Sequence, residues 1–527
     1  MLDRLFAGGL LLASIQPLLA QQQCASLSAF GLPRTTITSA VSAPEGTIPS
    51  VGNSAPSVVP AHCEVQAITR PTKDSEIRFQ VWLPVAGWNG KYLQVGNGGW
   101  AGQINQAAAA GPLRSGYVVA ATDDGHSSTA PGATWAVGHP EKLIDFGYRA
   151  VHETSVQAKA ILRAFFGRDA TRSYFSGCSD GGREALMEAQ RYPEDFDGIL
   201  AGAPASDWSH LFTGFVWNEQ AMAETPIPPA KLQGIQRAVV AACDSLDGVK
   251  DGLIEDPRAC RFDPASLVCQ VGDASDCLTE GQVATLRKIY SGPKNPRTGK
   301  QIFPGWPMGT EAIPGGWSTW IMAGGAQTMF GNTYYGQAVF EQSNWDFHTL
   351  NLDTDVAFGD AKAGPVLNAT NPDLRSFRDN GGKLIQYHGW GDAAISPLSS
   401  IEYYESVRAF LSRFPDGRRA SSDPMDFYRL FLVPGMAHCG GGIGPNDFGN
   451  GATSRADSAH NILSALDAWV ERGTAPDKII GSGKAVNDPA KALTHPLCPY
   501  PQTAQYRGSG DATDAENFAC AVAANAR

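Results

Sequence analysis

The sequence predicts an α/β fold in which a mostly parallel, wound sheet is interrupted by a large insertion. Three observations carry this reading. Short apolar runs alternate with helical stretches in the first and last parts of the chain, as strands joined by helical crossovers do. From about Asp207 to Leu374 that alternation stops, and Gly, Pro, Trp and local cysteines take over. Finally, 527 residues exceed one ordinary core, so a second domain or a large insertion is expected. The expected organisation is a leader at 1–20, a first part of the main domain at 21–206, an inserted domain at 207–374, and the second part of the main domain at 375–527.

In chain order, "MLDRLFAGGLLLASIQPLLAQQQ" has one basic residue, an apolar run to about Ala20 and then a polar switch. This reads as a cleaved secretory signal. Pro17 interrupts the run, which is shorter than the roughly 20 residues of a membrane span, so a secreted or periplasmic protein with no membrane anchor is expected. After a Ser/Pro-rich stretch at about 40–60, "IRFQVWLPV" and "KYLQVGNGGW" read as strands, the second entering a Gly-rich loop. "GYVVAATDDGH" (Gly116 to His126) is a further strand, and a helix is expected over about Lys142 to Phe166. "RSYFSG" and "GILAGAPA" follow as buried strands; beyond the insertion come "KLIQYHGWGD", a helix near Ser399 to Phe414, "FYRLFLVPGMAHC", and a helix near Ser458 to Arg472. Hydrophobic content of 43% with both charge signs interspersed indicates a globular chain. A net charge of −11 leaves no basic face to neutralise phosphates, so nucleic acid is not an expected partner.

The chemistry concentrates in "GCSDGGREAL". Gly177, Ser179 and Gly181 satisfy G-x-S-x-G, the strand-to-helix turn that exposes a nucleophilic serine in α/β-hydrolases. With 58 glycines in the chain the pattern alone decides little; its context, a short aromatic strand before and helix formers after, is what favours the elbow over a structural turn. In that fold the acid and then the histidine follow the serine at later strand ends. Asp392 in "GWGDAAISP" and His438 in "PGMAHCGGG" stand in that order. Taken alone, Asp392 reads as a turn or cap aspartate; the ordered set of three is what gives it a role. An imidazole can take the serine proton and return it to the leaving group, while a carboxylate orients the ring. The fold class is therefore an α/β-hydrolase with a large inserted lid. Oxyanion donors are expected from the Asp180 N–H and from Gly98 or Gly99 in "GNGGW", where the alternative is a plain turn.

Ten cysteines suit an oxidising compartment. Their positions suggest Cys24 with Cys63, Cys243 with Cys260, Cys269 with Cys277 and Cys498 with Cys520, although spacing does not determine connectivity. Cys178 and Cys439 remain, and a bridge between them would tie the serine and histidine loops together.

Through "GNGGWAG", "GCSDGGREAL", "GAPASDW", "CDSLDGVKDGLIEDP", "YHGWGDAAISP" and "VPGMAHCGGG" the chain resembles the tannase and feruloyl esterase family. The resemblance implies a Ser179/Asp392/His438 carboxylesterase with a lid, acting on esters of aromatic acids, with cysteines flanking both serine and histidine. It also implies a structural calcium held by Asp244, Asp247 and Asp251 with the carbonyls of Val249 and Leu253. Spacing alone reads that loop as a solvated acidic turn, since acids at loop positions 1, 4 and 8 are not an EF-hand. The expected activity is of the feruloyl esterase type, with galloyl esters or a mono(2-hydroxyethyl) terephthalate half-ester as alternatives. Two other classes compete: a thiol enzyme using Cys178 with His438, and a non-catalytic calcium-dependent glycan-binding protein. His152 and His388 read as structural hydrogen-bonding residues. Trp306, Trp317, Trp320, Tyr334 and Tyr335 read either as pocket lining or as lid core.

Overall fold

The computed structural model describes residues 23–48, 56–128, 132–414, 424–450 and 457–522; the expected signal at 1–20 lies outside them. At its centre is a nine-stranded sheet built from Thr35–Ala43 (β1), His62–Thr69 (β2), Ile77–Pro84 (β3), Lys91–Val95 (β4), Val118–Thr122 (β5), Arg172–Cys178 (β6), Gly198–Gly202 (β7), Lys383–Gly389 (β8) and Tyr428–Val433 (β9). Across the sheet the order is β1-β2-β3-β5-β4-β6-β7-β8-β9. Pairings from β1 to β5 along that order are antiparallel, and every pairing from β5 to β9 is parallel.

The parallel half forms from strands that are apolar on both sides. β5 and β7 are buried throughout. Val118 and Ala120 face one core while Val119 and Ala121 face another, as a two-residue side-chain period requires. Helices therefore cover both faces. Ala150–Phe166, Asp180–Arg191 and Pro397–Leu411 pack on one, Gln106–Arg114 and Ile462–Arg472 on the other.

Strands β3 to β9 lie where the sequence pattern predicts them. β1 and β2 do not appear in that reading: β1 is an edge strand with most side chains exposed or half-buried and lacks a clear apolar alternation, whereas β2 alternates buried and half-buried positions and was detectable. The helix expected over 142–166 is interrupted: Pro140–Ile144 leads into a wider π turn at Asp145–Arg149 before Ala150–Phe166. The fully buried Asp145 sits in that turn, accepting from Arg149 Nε at 2.5 Å and Ser75 Oγ at 3.1 Å.

Between β7 and β8 the described chain contributes no strand to the main sheet and is largely helical, including Trp208–Glu224, Leu232–Cys243, Glu280–Ser291, Ala326–Thr333 and Thr354–Lys362. These helices surround their own core of Trp208, Phe212, Trp306 and Tyr334. Trp208–Glu224 is buried around much of its circumference, which removes the single apolar stripe that marks a helix in sequence. After β9, the described residues add a three-stranded sheet and a two-stranded ribbon. All ten cysteines are paired, as Cys24–Cys63, Cys178–Cys439, Cys243–Cys260, Cys269–Cys277 and Cys498–Cys520. Among the described residues no helix is long and apolar enough to cross a membrane.

Leu186, on the helix after β6, is wholly buried against the sheet. Leu186→Ala is expected to destabilise the protein by about 2–5 kcal/mol, read as a lower urea midpoint with an unchanged m value.

Candidate active site

Ser179 stands between the end of β6 and the helix Asp180–Arg191, with φ 67° and ψ −120°. That conformation is uncommon for a non-glycine residue and persists only when its surroundings impose it. They do so here through the backbone: the Ser179 N–H donates to Gly202 O at 3.0 Å, and the Ser179 carbonyl accepts from Gly182, Arg183 and Ala205, each at 3.1 Å. The flanking glycines are a matter of space. A Cβ on Gly177 would sit 2.4 Å from Gly181 O, and one on Gly182 would sit 2.2 Å from Gly202 O.

Asp392 and His438 arrive from the loops after β8 and β9. His438 Nε2 is 2.9 Å from Ser179 Oγ, and His438 Nδ1 is 2.7 Å from Asp392 Oδ2. The other Asp392 oxygen accepts the N–H groups of Ala394 (2.8 Å) and Ile395 (2.9 Å). Burial opposes ionisation of Asp392, but the charge of His438 and hydrogen bonds from His388 and His438 outweigh it and hold the carboxyl well below the usual carboxylate range. The two loops are joined directly, Gly391 N–H to Met436 O at 2.9 Å, and Cys178–Cys439 links the residue before the serine to the residue after the histidine.

His388 has a closer connection to this site than the sequence reading assigns it. Its Nε2 faces Asp392 Oδ2 at 3.1 Å and the Ile395 carbonyl at 3.0 Å. A carbonyl only accepts, so Nε2 carries the hydrogen. Nδ1 is then free to accept from Ser400 Oγ at 2.7 Å. The signal was present in "YHGWGD", where histidine and aspartate are four residues apart, but nothing in that spacing says that the chain doubles back. His152, in contrast, bonds Asp195 at 2.7 Å and stacks on Tyr192, away from the serine.

The Asp180 side chain points into the protein, 1% exposed, with Arg183 Nε donating to it at 2.6 Å. Its N–H, first in the helix, has no intrahelical acceptor. Gly98 and Gly99 lie opposite in the loop leaving β4, which is pinned to the helix start by Gly181 N–H to Asn97 O at 3.0 Å. A Cβ on Gly98 would meet open space, whereas on Gly99 (φ +59°) it would meet the Phe330 ring at 3.3 Å.

Of the aromatic residues singled out from the insertion, Trp306, Trp317, Tyr334 and Tyr335 are buried in its core. Trp320 alone among them reaches the site, its ring 5.2 Å from the His438 ring and edge-on to it. Phe330, which sequence reasoning did not single out, stacks with Trp320 at 6.2 Å. A separate cleft of about 420 Å³ beside Lys159, Asp195 and Asn380 lies at the opposite, N-terminal ends of the strands. Parallel sheets place their chemistry at the C-terminal ends, where Ser179, Asp392 and His438 meet.

The acidic loop is closed by Cys243–Cys260. Asp244, Asp247 and Asp251 each accept one backbone N–H, from Gly252, Val249 and Leu253, at 3.0, 2.9 and 2.9 Å. Each keeps a second carboxylate oxygen, and the residues are half-buried. Burial raises all three pKa values; repulsion from Asp251 adds to it at Asp244 and Asp247, and repulsion from Glu255 at Asp247 and Asp251, with Asp247 pushed up to about 7. An all-oxygen donor set whose charges repel fits a hard divalent cation. The carboxylates are spread more widely than the two clusters, one of three carboxyls and one of a histidine with two, that bring their ligand atoms within 4.8 Å among the described residues.

Removing the inter-loop bridge in a Cys178→Ala/Cys439→Ala variant is expected to lower kcat for ester hydrolysis by about 10- to 100-fold through misplacement of His438, with the overall fold retained by circular dichroism. Activation of the wild type by dithiothreitol would instead identify a thiolate nucleophile.

Comparison with known proteins agrees with this geometry. An uncharacterised esterase of Xanthomonas campestris is 43% identical over 529 residues, spanning 95% of this chain and 91% of the relative. The mono(2-hydroxyethyl) terephthalate hydrolase of Piscinibacter sakaiensis is 34% identical, covering 88% of this chain and 85% of that protein. The crystal structure of feruloyl esterase B from Aspergillus oryzae superposes with a TM-score of 0.86 at 29% identity, over 95% of this chain and all of that one. The family profile described as tannase and feruloyl esterase matches residues 63–521, and the chain belongs to that family of carboxylic ester hydrolases.

Proposed function

We propose that this protein is an exported serine esterase that releases aromatic acids, hydroxycinnamates first among them, by two-step acyl transfer. The observation that carries the reading is the continuous hydrogen-bonded chain Asp392–His438–Ser179. In the proposed cycle Ser179 Oγ attacks the ester carbonyl while His438 Nε2 takes its proton, and Asp392 stabilises the charged ring. The N–H of Asp180 and one from Gly98 or Gly99 receive the negative charge that develops on the carbonyl oxygen. His438 returns the proton to the departing alcohol; water then attacks the acyl-enzyme by the same route and frees the acid.

An aromatic acyl group is supported by Trp320 and Phe330, whose stacked rings border His438 and Gly99. Such faces suit a planar ring. Export is supported by the leader and by five disulfides, which persist in oxidising compartments. The test is initial rates on methyl ferulate, methyl gallate and mono(2-hydroxyethyl) terephthalate for wild type and Ser179→Ala. The expected outcome is a kcat loss of at least roughly 10⁴-fold in the variant and the highest kcat/KM on the ferulate ester. Preference for another ester would reassign the acyl group, and undiminished turnover by Ser179→Ala would reject the mechanism. Ligand binding without turnover by the wild type would favour the glycan-binding alternative.

We further propose that Asp244, Asp247 and Asp251, with the Val249 and Leu253 carbonyls, hold a structural Ca²⁺. The ion would offset the repulsion of the three carboxylates and stiffen the loop. EGTA is expected to lower the melting temperature by several degrees, about what loss of 1–3 kcal/mol produces, and excess CaCl₂ to restore it. Asp247→Ala should abolish that response.

A further inference from the structure

Behind the proposed oxyanion donors lies a group of carboxyls that acyl transfer does not use. Asp124, Asp180 and Glu184 bring carboxyl oxygens within 4.8 Å of one another, and each residue is at most 2% exposed. The only cation hydrogen-bonded to the group among the described residues is Arg183, and each of its three nitrogens has an acceptor. Its Nε donates to Asp180 at 2.6 Å and its other nitrogens to the carbonyls of Gly147 (2.7 Å) and Phe146 (3.0 Å). With every carboxyl ionised, Oδ2 of Asp180, both Asp124 oxygens and Oε1 of Glu184 would lack a close hydrogen-bond partner, the Asn97 side chain beside Asp124 giving it only partial compensation. Two such anions side by side in the interior repel strongly, and like charges sharing a site retain a proton.

One proton relieves the Asp124–Glu184 pair. Placed on Glu184 Oε1, it is donated to Asp124, and Glu184 Oε2 remains an acceptor for the Asn97 N–H at 3.1 Å. Burial and the neighbouring Asp124 raise the Glu184 pKa well above the carboxylate range, in keeping with this assignment. The charged groups facing Glu184 are Asp124 from the loop after β5 and Asp180, Arg183 and Glu188 from its own helix.

The consequence falls on the loop that carries Gly98 and Gly99. Asn97, immediately before them, is held at three points: its N–H by Glu184, its carbonyl by the Gly181 N–H at 3.0 Å, and its side-chain amide by Thr122 O at 2.9 Å. Glu184 is pressed close to the same backbone, since a Cβ on Gly96 would lie 2.6 Å from its Oε2. We propose that Glu184, neutral and sharing its proton with Asp124, is a positioning residue that holds the Gly98–Gly99 segment in register with the Asp180 N–H. This rests on the ester-hydrolase reading above and adds to it the element that fixes the two halves of the oxyanion hole relative to each other.

Glu184→Gln tests this, because its amide can donate to Asp124 and accept from Asn97 without an ionisable group; Glu184→Ala removes both bonds. On p-nitrophenyl acetate, which makes no demand on an aromatic acyl site, Glu184→Ala is expected to lose about 10²-fold in kcat with KM changed little, the pattern of an interaction felt in the transition state. Glu184→Gln should restore kcat to within about threefold of wild type. Independently of any substrate, the infrared difference spectrum of wild type minus Glu184→Gln at neutral pH should contain the C=O stretch of a protonated carboxyl. Wild-type kcat in Glu184→Ala, a Glu184→Gln variant as impaired as Glu184→Ala, or absence of that band would each overturn the proposal. If Glu184→Ala fails to fold, Glu184→Gln and the infrared band still decide it. Failure of the ester-hydrolase reading is separately visible, as a wild type that turns over no ester or a Ser179→Ala variant that is not impaired.

Discussion

The structure of the site depends on one close approach. At Ser179 the chain turns from β6 into a helix whose first residues lie directly on the backbone of two neighbouring segments. Gly181 N–H meets Asn97 O from the loop after β4, and a side chain on Gly182 would overlap the Gly202 carbonyl at the end of β7. The serine can hold φ 67° because bonds from both sides hold its own N–H and carbonyl. The same contact sets where the helix begins, and so where the unpaired N–H of Asp180 stands relative to Gly98 and Gly99.

Around that turn the polar groups are distributed with little redundancy. Asp392 is fully enclosed, yet it accepts two backbone N–H groups and two histidines, which is why it can remain ionised without water. His388 extends this arrangement to Ser400 and Gln386, anchoring the carboxylate to the helix Pro397–Leu411 rather than to its own loop alone. On the far side of the serine, Asp180 has Arg183, while Asp124 and Glu184 share a proton and Glu184 also accepts the Asn97 N–H. Acid groups on the two sides of Ser179 thus meet burial in opposite ways, one by ionic and hydrogen-bond compensation and the other by neutrality.

The inserted helices contribute the apolar side of the site. Most of their aromatic residues make a core of their own, and among the described residues Trp320 and Phe330 are carried to the edge of His438 and Gly99. A large aromatic inventory in the insertion therefore serves folding first, and two rings from it border the candidate site.

What the sequence by itself determined was whatever is local or carried by a spaced motif. Apolar runs located β3 to β9, glycines around Ser179 announced the turn, and the order of serine, aspartate and histidine singled out Asp392 and His438. Cysteine order was enough to suggest all five bridges. It did not reveal the edge strand β1, whose exposed side chains show no clear alternation, or the helix Trp208–Glu224, buried on too many sides to show a stripe. Nor did it separate Trp320 from Trp317, three residues apart, one at the site and the other in the core. Those distinctions, like the return of His388 onto Asp392 and the meeting of Asp124 with Glu184, were decided by tertiary structure. They depend on which surfaces distant segments bury against each other, and the spacing of residues along a chain carries no record of that.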